Sequence, residues 1–148
     1  MNIKITIENN RSLIPVVSQA VRNFCLVADT GGQLSLNKIE LAVVELLTNI
    51  LDHGNLKPES EIELHCRVND EELIVEVIDN GCALSSEQAS VYLDNMVSMP
   101  ARGAAIEALP VEGWGVQLIK SACDRISYNR TDQCNRYKLA FDLAVAVS

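Results

Sequence analysis

Glu45-Leu46-Leu47-Thr48-Asn49-Ile50-Leu51-Asp52-His53-Gly54 is the stretch on which the reading of this chain turns. At about 100° per residue, Val43, Leu46, Leu47, Ile50 and Leu51 make a broad apolar face. Glu45, Thr48, Asn49, Asp52 and His53 gather on the opposite arc at i, i+3, i+4, i+7 and i+8. Spacing alone describes an amphipathic helix with one solvated side. Its polar side is unusual in composition, because Thr, Asn, Asp and His are weak helix formers and no Lys or Arg follows Lys38. Oxygen ligands with a carboxylate one turn before an amide can hold a hard cation and place a base. The expected helix starts at Ser35 or Asn37, where Asn37-x-x-Glu40 has capping-box spacing, and runs to about His53 before Gly54-Asn55.

The flanking sequence changes period. Ile3, Ile5 and Ile7 alternate with polar residues, as does Glu61 to Val68, where Ile62, Leu64, Cys66 and Val68 oppose Glu61, Glu63, His65 and Arg67. Asn69-Asp70-Glu71-Glu72 turns this strand into a second, Leu73 to Asp79, forming an antiparallel hairpin. Leu13 to Ala28 reads as a helix preceded by Ser12, with Pro15 tolerable in its first turn. A long irregular stretch, Asn80 to Gly113, precedes a helix from Gly115 to Asp124. Two last strands follow, around Arg125 to Arg130 and Tyr137 to Leu143. This order predicts an α/β (α+β) two-layer sandwich, a mostly antiparallel mixed sheet covered on one face by three main helices.

Composition bounds the function classes. The chain has 148 residues, 48% hydrophobic and 22% charged, with a formal net charge of -8. That suits a single folded domain spanning 1–148 and disfavours non-specific attraction to nucleic acid or anionic membrane. No apolar run is long enough to span a bilayer and the start lacks a signal-peptide core, so a cytoplasmic protein is expected. Five cysteines without a C-x-x-C pair fit reduced thiols rather than a disulfide framework or a zinc site. His65, on the wet side of its strand, is expected to be solvated.

Two more motifs carry chemistry. Val77-Ile78-Asp79-Asn80-Gly81 ends an apolar strand in a carboxylate, which can accept from a buried donor such as an exocyclic amine, although Asp-Asn-Gly is also ordinary turn chemistry. Gly113-Trp114-Gly115-Val116 opens a helix, where glycines let backbone approach phosphate and free N–H groups face an anion. No P-loop is present and the Rossmann fingerprint is a poor match.

Taken in order, these three motifs resemble the Bergerat ATP-binding fold of histidine kinases, type II topoisomerases, MutL-like proteins and Hsp90. Glu45 to Gly54 is similar to its N box, Asp79-Asn80-Gly81 to its first glycine box, and Gly113-Trp114-Gly115-Val116 to its second. Within that superfamily, the E-x-x-T-N-x-x-x-H-G string resembles the bacterial serine-protein kinases that double as anti-sigma factors. So do Leu118-Ile119-Lys120 and Asp124 after the second glycine box, and the tail Tyr128 to Asn135 with Leu139. Sensor histidine kinases are less similar, since Asp52 stands where their N box usually has a basic residue.

The resemblance implies ATP or ADP with Mg²⁺ as cofactors and assigns roles. Glu45 would be the general base toward a serine or threonine hydroxyl, and Asn49 would hold Mg²⁺. Asp79 would accept from the adenine amino group, with Thr48 supporting through a water. Gly81, Gly113 and Gly115 would let backbone close around nucleotide, with His53 and Val116 in the same binding set. Arg102, in a lid at about 83–112, would reach the γ-phosphate or the partner. The implied partners are a STAS-domain anti-anti-sigma protein and a sigma factor, in a homodimer. After Gly81 the family commonly continues Pro-Phe-Asp-like, whereas this chain has Cys82-Ala83-Leu84-Ser85. That departure keeps open a second function, a partner-sequestering module that binds nucleotide without turnover or binds none.

Overall fold

Alternating strands and amphipathic helices leave apolar faces that only each other can cover, and the chain resolves this in two layers. The structure, a computed structural model, describes residues 1–29, 31–93 and 111–143, with Leu93 and 111–114 described by backbone only. In chain order the elements are β1 (Asn2–Glu8), a 3-10 turn (Arg11–Leu13), α1 (Ile14–Ala28), α2 (Leu36–His53), β2 (Glu61–Val68) and β3 (Glu72–Asp79). Then come α3 (Ser86–Leu93), α4 (Val111–Ala122), β4 (Arg125–Thr131) and β5 (Cys134–Asp142). The strands form one sheet in the order β1-β2-β3-β5-β4, and every pairing is antiparallel.

Strand period decides which residues enter the core. Ile62, Leu64 and Cys66 of β2, Leu73, Val75 and Val77 of β3, and Tyr137, Leu139 and Phe141 of β5 all point inward and are buried. They join one cluster with Val17, Val21, Phe24 and Cys25 of α1, six residues of α2 and Ile119 of α4. Each such Leu or Ile gains about 1.5–3 kcal/mol from leaving water. The outer face carries charge instead: Lys4 and His65 both meet Glu63, at 3.6 and 3.1 Å. The His65 hydrogen bond is the chief reason the Glu63 carboxyl lies below its usual range. Arg125 bridges Glu72 and Asp142, each at 2.6 Å.

Several boundaries differ from expectation for local reasons. The stretch read as irregular after Asn80 contains α3, because Ser85-Ser86-Glu87-Gln88 is a capping box: the Gln88 backbone N–H donates to Ser85 Oγ at 3.1 Å and the Ser85 N–H to Gln88 Oε1 at 2.9 Å. The Asn37-x-x-Glu40 box does not form; Ser35 takes the cap position and Glu40 pairs with Arg22 of α1 at 3.0 Å. Helix α4 begins at Val111, so Gly113 and Gly115 lie within it rather than opening it. Pro110 and Glu112 supply the start signal, a proline ahead of the helix and an acid in its first turn. At the end of α2 the left-handed residue is Asn55, with φ 50°, not Gly54. All five cysteines are free, but only Cys25 and Cys66 are fully buried, their thiols pushed up to about 11 and about 12 chiefly by burial.

The capping box holds α3 locally, so Ser85→Ala is expected to cost about 1 kcal/mol there. Hydrogen exchange would show amides of Ser86–Leu93 about fivefold faster, with β2 and β3 unchanged. Equal protection in α3 would mean that its packing, not its cap, holds it.

Candidate functional site

The polar arc of α2 is not uniformly solvated. Glu45, Thr48 and Asn49 are half-buried, while Asp52 and His53 are exposed. Asp52 takes an ion pair from Arg11 at 2.5 Å, an ordinary surface use. Glu45 and Asn49 lie beneath α4. A Cβ on Gly115 would stand 3.0 Å from Asn49 Oδ1, 3.2 Å from Asn49 Nδ2 and 3.3 Å from Glu45 Oε2. Gly115 thus brings α4 backbone against a carboxylate and an amide one turn apart, and a Cβ there would make these side chains give by a few tenths of an ångström.

Asp79 ends β3 on the inward side and is 2% exposed. Its Oδ1 accepts from the Gly81 backbone N–H at 2.8 Å and from Asn135 Nδ2 at 3.0 Å. Its Oδ2 is buried with no hydrogen-bond partner among the described residues. Burial is the largest influence on this carboxyl and raises its pKa, opposed by Asn135, Gly81 and Arg130. Buried polar atoms are satisfied as a rule, so an orphaned carboxylate oxygen marks a place for an outside donor.

The turn after Asp79 is clamped to the end of α2. The Cys82 N–H donates to the Gly54 carbonyl at 3.1 Å, and a Cβ on Gly81 would fall 2.2 Å from that same oxygen. Only glycine fits there. The N box and the first glycine box are thereby held together by backbone, independent of any side chain.

Between α2, α3, α4 and the sheet lies a cavity of about 220 Å³. Asn49, His53, Tyr92, Val116 and Tyr137 are in its wall, with Leu84 and Val91 adding apolar surface. The chain's three tyrosines meet here: ring centroids of Tyr92 and Tyr128 each lie 5.2 Å from that of Tyr137. The Asn49 side chain lies close enough to the Tyr92 hydroxyl to lower that phenol against the rise from burial. Burial raises the Tyr92 and Tyr137 phenols, and the Asp79 charge raises both further; Asp79 is not in the wall of this cavity but in a separate depression with Ile78, Asn80 and Cys134.

Of the residues expected from sequence, Glu45, Asn49 and Gly115 meet, Asn49, His53 and Val116 line the cavity, and Asp79 and Gly81 share a hydrogen bond. Thr48 lines no part of the cavity wall. Gly113 falls within α4, and Arg102 lies outside the described residues. Sequence reasoning gave no role to Asn135, Arg130 or the tyrosines. Their signals were the inward register of Asn135 opposite Asp79 and the confinement of the few tyrosines to this corner.

A conserved-domain model, the histidine kinase-like ATPase domain, matches residues 8–141. The chain belongs to this family. No curated protein matches the sequence. Among solved structures, this histidine kinase-like ATPase domain is similar to that of the RsbU and RsbW domains of Rv1364c from Mycobacterium tuberculosis, with 15% identity and TM-score 0.63. That match covers 97% of this chain but only 32% of that one, so the domain spans about a third of the longer protein. It is also similar to the catalytic domain of histidine kinase ThkA, at 10% identity and TM-score 0.57, covering 95% of this chain and 97% of that one. The mycobacterial sensor histidine kinase MprB gives 9% identity and TM-score 0.54, covering 94% and 98%. Likeness at these identities concerns the fold. Among the described residues, no helix is long and apolar enough to cross a membrane.

The orphaned oxygen has a consequence for stability. With its pKa raised in the fold, Asp79 retains a proton over a window that begins at the ordinary 3.8, where the unfolded chain has already released it, and is ionised above that window. Stability therefore falls as pH rises through that window and stays lowered above it. Asp79→Asn is expected to raise the thermal midpoint at pH 7, with the gain shrinking toward pH 4. A lower midpoint at pH 7 would show that the carboxylate is satisfied.

Proposed function

We propose that the domain binds ATP with Mg²⁺ in this cavity and transfers the γ-phosphoryl group to a serine or threonine of a STAS-domain anti-anti-sigma protein. In this reading it also sequesters a sigma factor, as a cytoplasmic homodimeric switch. The observation that carries the nucleotide part is the buried, unpartnered Asp79 Oδ2, in a carboxyl whose charge reaches Tyr92 and Tyr137 of the cavity wall. An exocyclic amine is the donor such an oxygen lacks.

The remaining residues fit the same ligand. Gly81 keeps backbone close where a Cβ would collide and Gly115 where one would be tight, and Val116 and Tyr137 give the cavity apolar wall for a planar base. Among the described residues no group of three or more His, Cys, Asp or Glu side chains converges to hold a metal. Asn49 would supply one oxygen, and Mg²⁺ sites of this kind take most other ligands from phosphates and water. When bound, the ion neutralises charge on the transferring group. Glu45, one turn before Asn49, would take the proton of an incoming hydroxyl. Arg102 and Gly113 remain part of the proposed set through the sequence motif, and Thr48 through its place on the N-box face. The likeness to a structure containing an RsbW domain supports the anti-sigma reading of the sequence.

One observation favours the non-catalytic alternative. Tyr92 engages Asn49, and α4 backbone covers the Glu45–Asn49 pair, so phosphate and metal enter only if α3 and α4 give way.

Thermal midpoints with and without ATP·Mg²⁺ test the site. A ligand at about 100 times its dissociation constant adds about 2.7 kcal/mol, a shift of several degrees, expected for wild type and absent in Asn49→Ala. No shift in wild type overturns the nucleotide reading. With radiolabelled ATP and a co-encoded STAS protein, Glu45→Ala is expected to slow transfer about 100-fold or more while keeping the thermal shift. Equal transfer by Glu45→Ala would remove it as the base, and no transfer by wild type despite binding would leave the sequestering module. Tyr92→Phe frees Asn49 and is expected to tighten ATP·Mg²⁺ binding about fivefold by calorimetry; unchanged affinity would show that the Tyr92 contact imposes no barrier.

A further inference from the structure

Asp79 and Asn135 are register partners on β3 and β5, both inward and both buried, at 2% and 1% exposure. The Asn135 amide uses all its capacity. Its Oδ1 accepts from the Tyr128 hydroxyl at 2.6 Å and from Arg130 at 2.9 Å, and its Nδ2 donates to Asp79 Oδ1 at 3.0 Å and to the Cys82 carbonyl at 2.9 Å. Arginine only donates and a carbonyl only accepts. Turning the amide over would set donor against donor and acceptor against acceptor, so its orientation is locked. The same Arg130 nitrogen reaches the Gly81 carbonyl at 2.9 Å, and Tyr128 accepts from the Leu84 N–H at 3.3 Å. The lock therefore includes the turn that follows Asp79.

A locked donor fixes what Asp79 presents. Its Oδ1 is committed as acceptor to Asn135 and Gly81, and Oδ2 is the oxygen left for a ligand. We propose that Asn135 is the positioning residue that makes Asp79 select a 6-aminopurine over a 6-oxopurine. This rests on the nucleotide reading above and adds to it a residue that never touches the base. An amino group offers Oδ2 a hydrogen. A carbonyl at the same position sets oxygen against a buried carboxylate oxygen, a mismatch that binding sites reject strongly. Without the Asn135 donor, which opposes the effect of burial, the carboxyl more readily holds a proton, and a protonated carboxyl can donate to a 6-oxo group as well as accept from a 6-amino group.

The test is the ratio of ADP to inosine diphosphate affinities, each with Mg²⁺, by calorimetry on the full chain. Wild type is expected to prefer ADP about tenfold or more. Asn135→Val removes the donor, and the ratio should fall to within about threefold. Asn135→Thr has the same shape with a hydroxyl that can donate to Oδ1, and should restore most of the preference. A merely structural role would weaken both ligands alike and leave the ratio unchanged in Asn135→Val, which would overturn the proposal. Arg130→Met, at an exposed side chain, unlocks the amide without emptying the core, and should lower the ratio even if Asn135→Val does not fold. If Arg130→Met keeps the full ratio, the lock is not what positions Asp79. Wild type that binds both without preference would also overturn the proposal, whereas binding of neither would instead overturn the nucleotide reading itself.

Discussion

The carboxylate of Asp79 organises this domain. It is buried, one oxygen is bonded twice and the other not at all. Burying such a group is unfavourable unless partners compensate, and the surrounding structure supplies some of them: Gly81 from the next turn, Asn135 from the neighbouring strand, and Arg130 from the strand beyond. Those three residues come from three separate stretches of chain, so the carboxylate ties the end of the hairpin to the C-terminal strands. What remains uncompensated is Oδ2, the oxygen proposed to meet a ligand.

Around that carboxylate two glycines permit close approach, and at Gly81 no other residue fits. Gly81 lets the first glycine box touch the end of α2, and Gly115 lets α4 lie on Glu45 and Asn49. Both close approaches join a helix of the N box to another motif, which explains how residues about 35 to 70 positions apart in sequence come to share one corner. The cavity between them is bounded by side chains from α2, α3, α4 and β5, so its shape depends on all four elements. The tyrosine cluster links α3 to the sheet at the same corner, and its contact with Asn49 couples the position of α3 to the residue proposed to hold the metal.

Much of the fold was legible because it rests on period. Isoleucines at alternate positions in β1 and the strict alternation of β2 fixed both the strands and their buried sides, since a slip of one residue would expose the whole apolar set. α2 was legible from its apolar arc and its Gly54-Asn55 stop. Where reading failed, the competing signal was short and local. Ser85-x-x-Gln88 started a helix in a stretch that looked irregular, and Glu40 preferred an ion pair with Arg22 over the capping box it could have completed. Val111 and Glu112 extended α4 toward its N-terminus and took both glycines into the helix.

By itself the sequence determined the elements, their buried faces and the three motifs in order, because each depends on spacing within a few residues. Glu45 and Asn49 one turn apart, and Asp79 two residues before Gly81, follow from local geometry alone. Only the tertiary structure decided which polar residues leave water together. That Asp79 keeps one bare oxygen, that Asn135 faces it with a locked amide, and that Tyr92 reaches Asn49 all depend on strand register and helix docking. Such contacts join positions with no periodic relation in the chain, and their energies exist only once water has been excluded from between them.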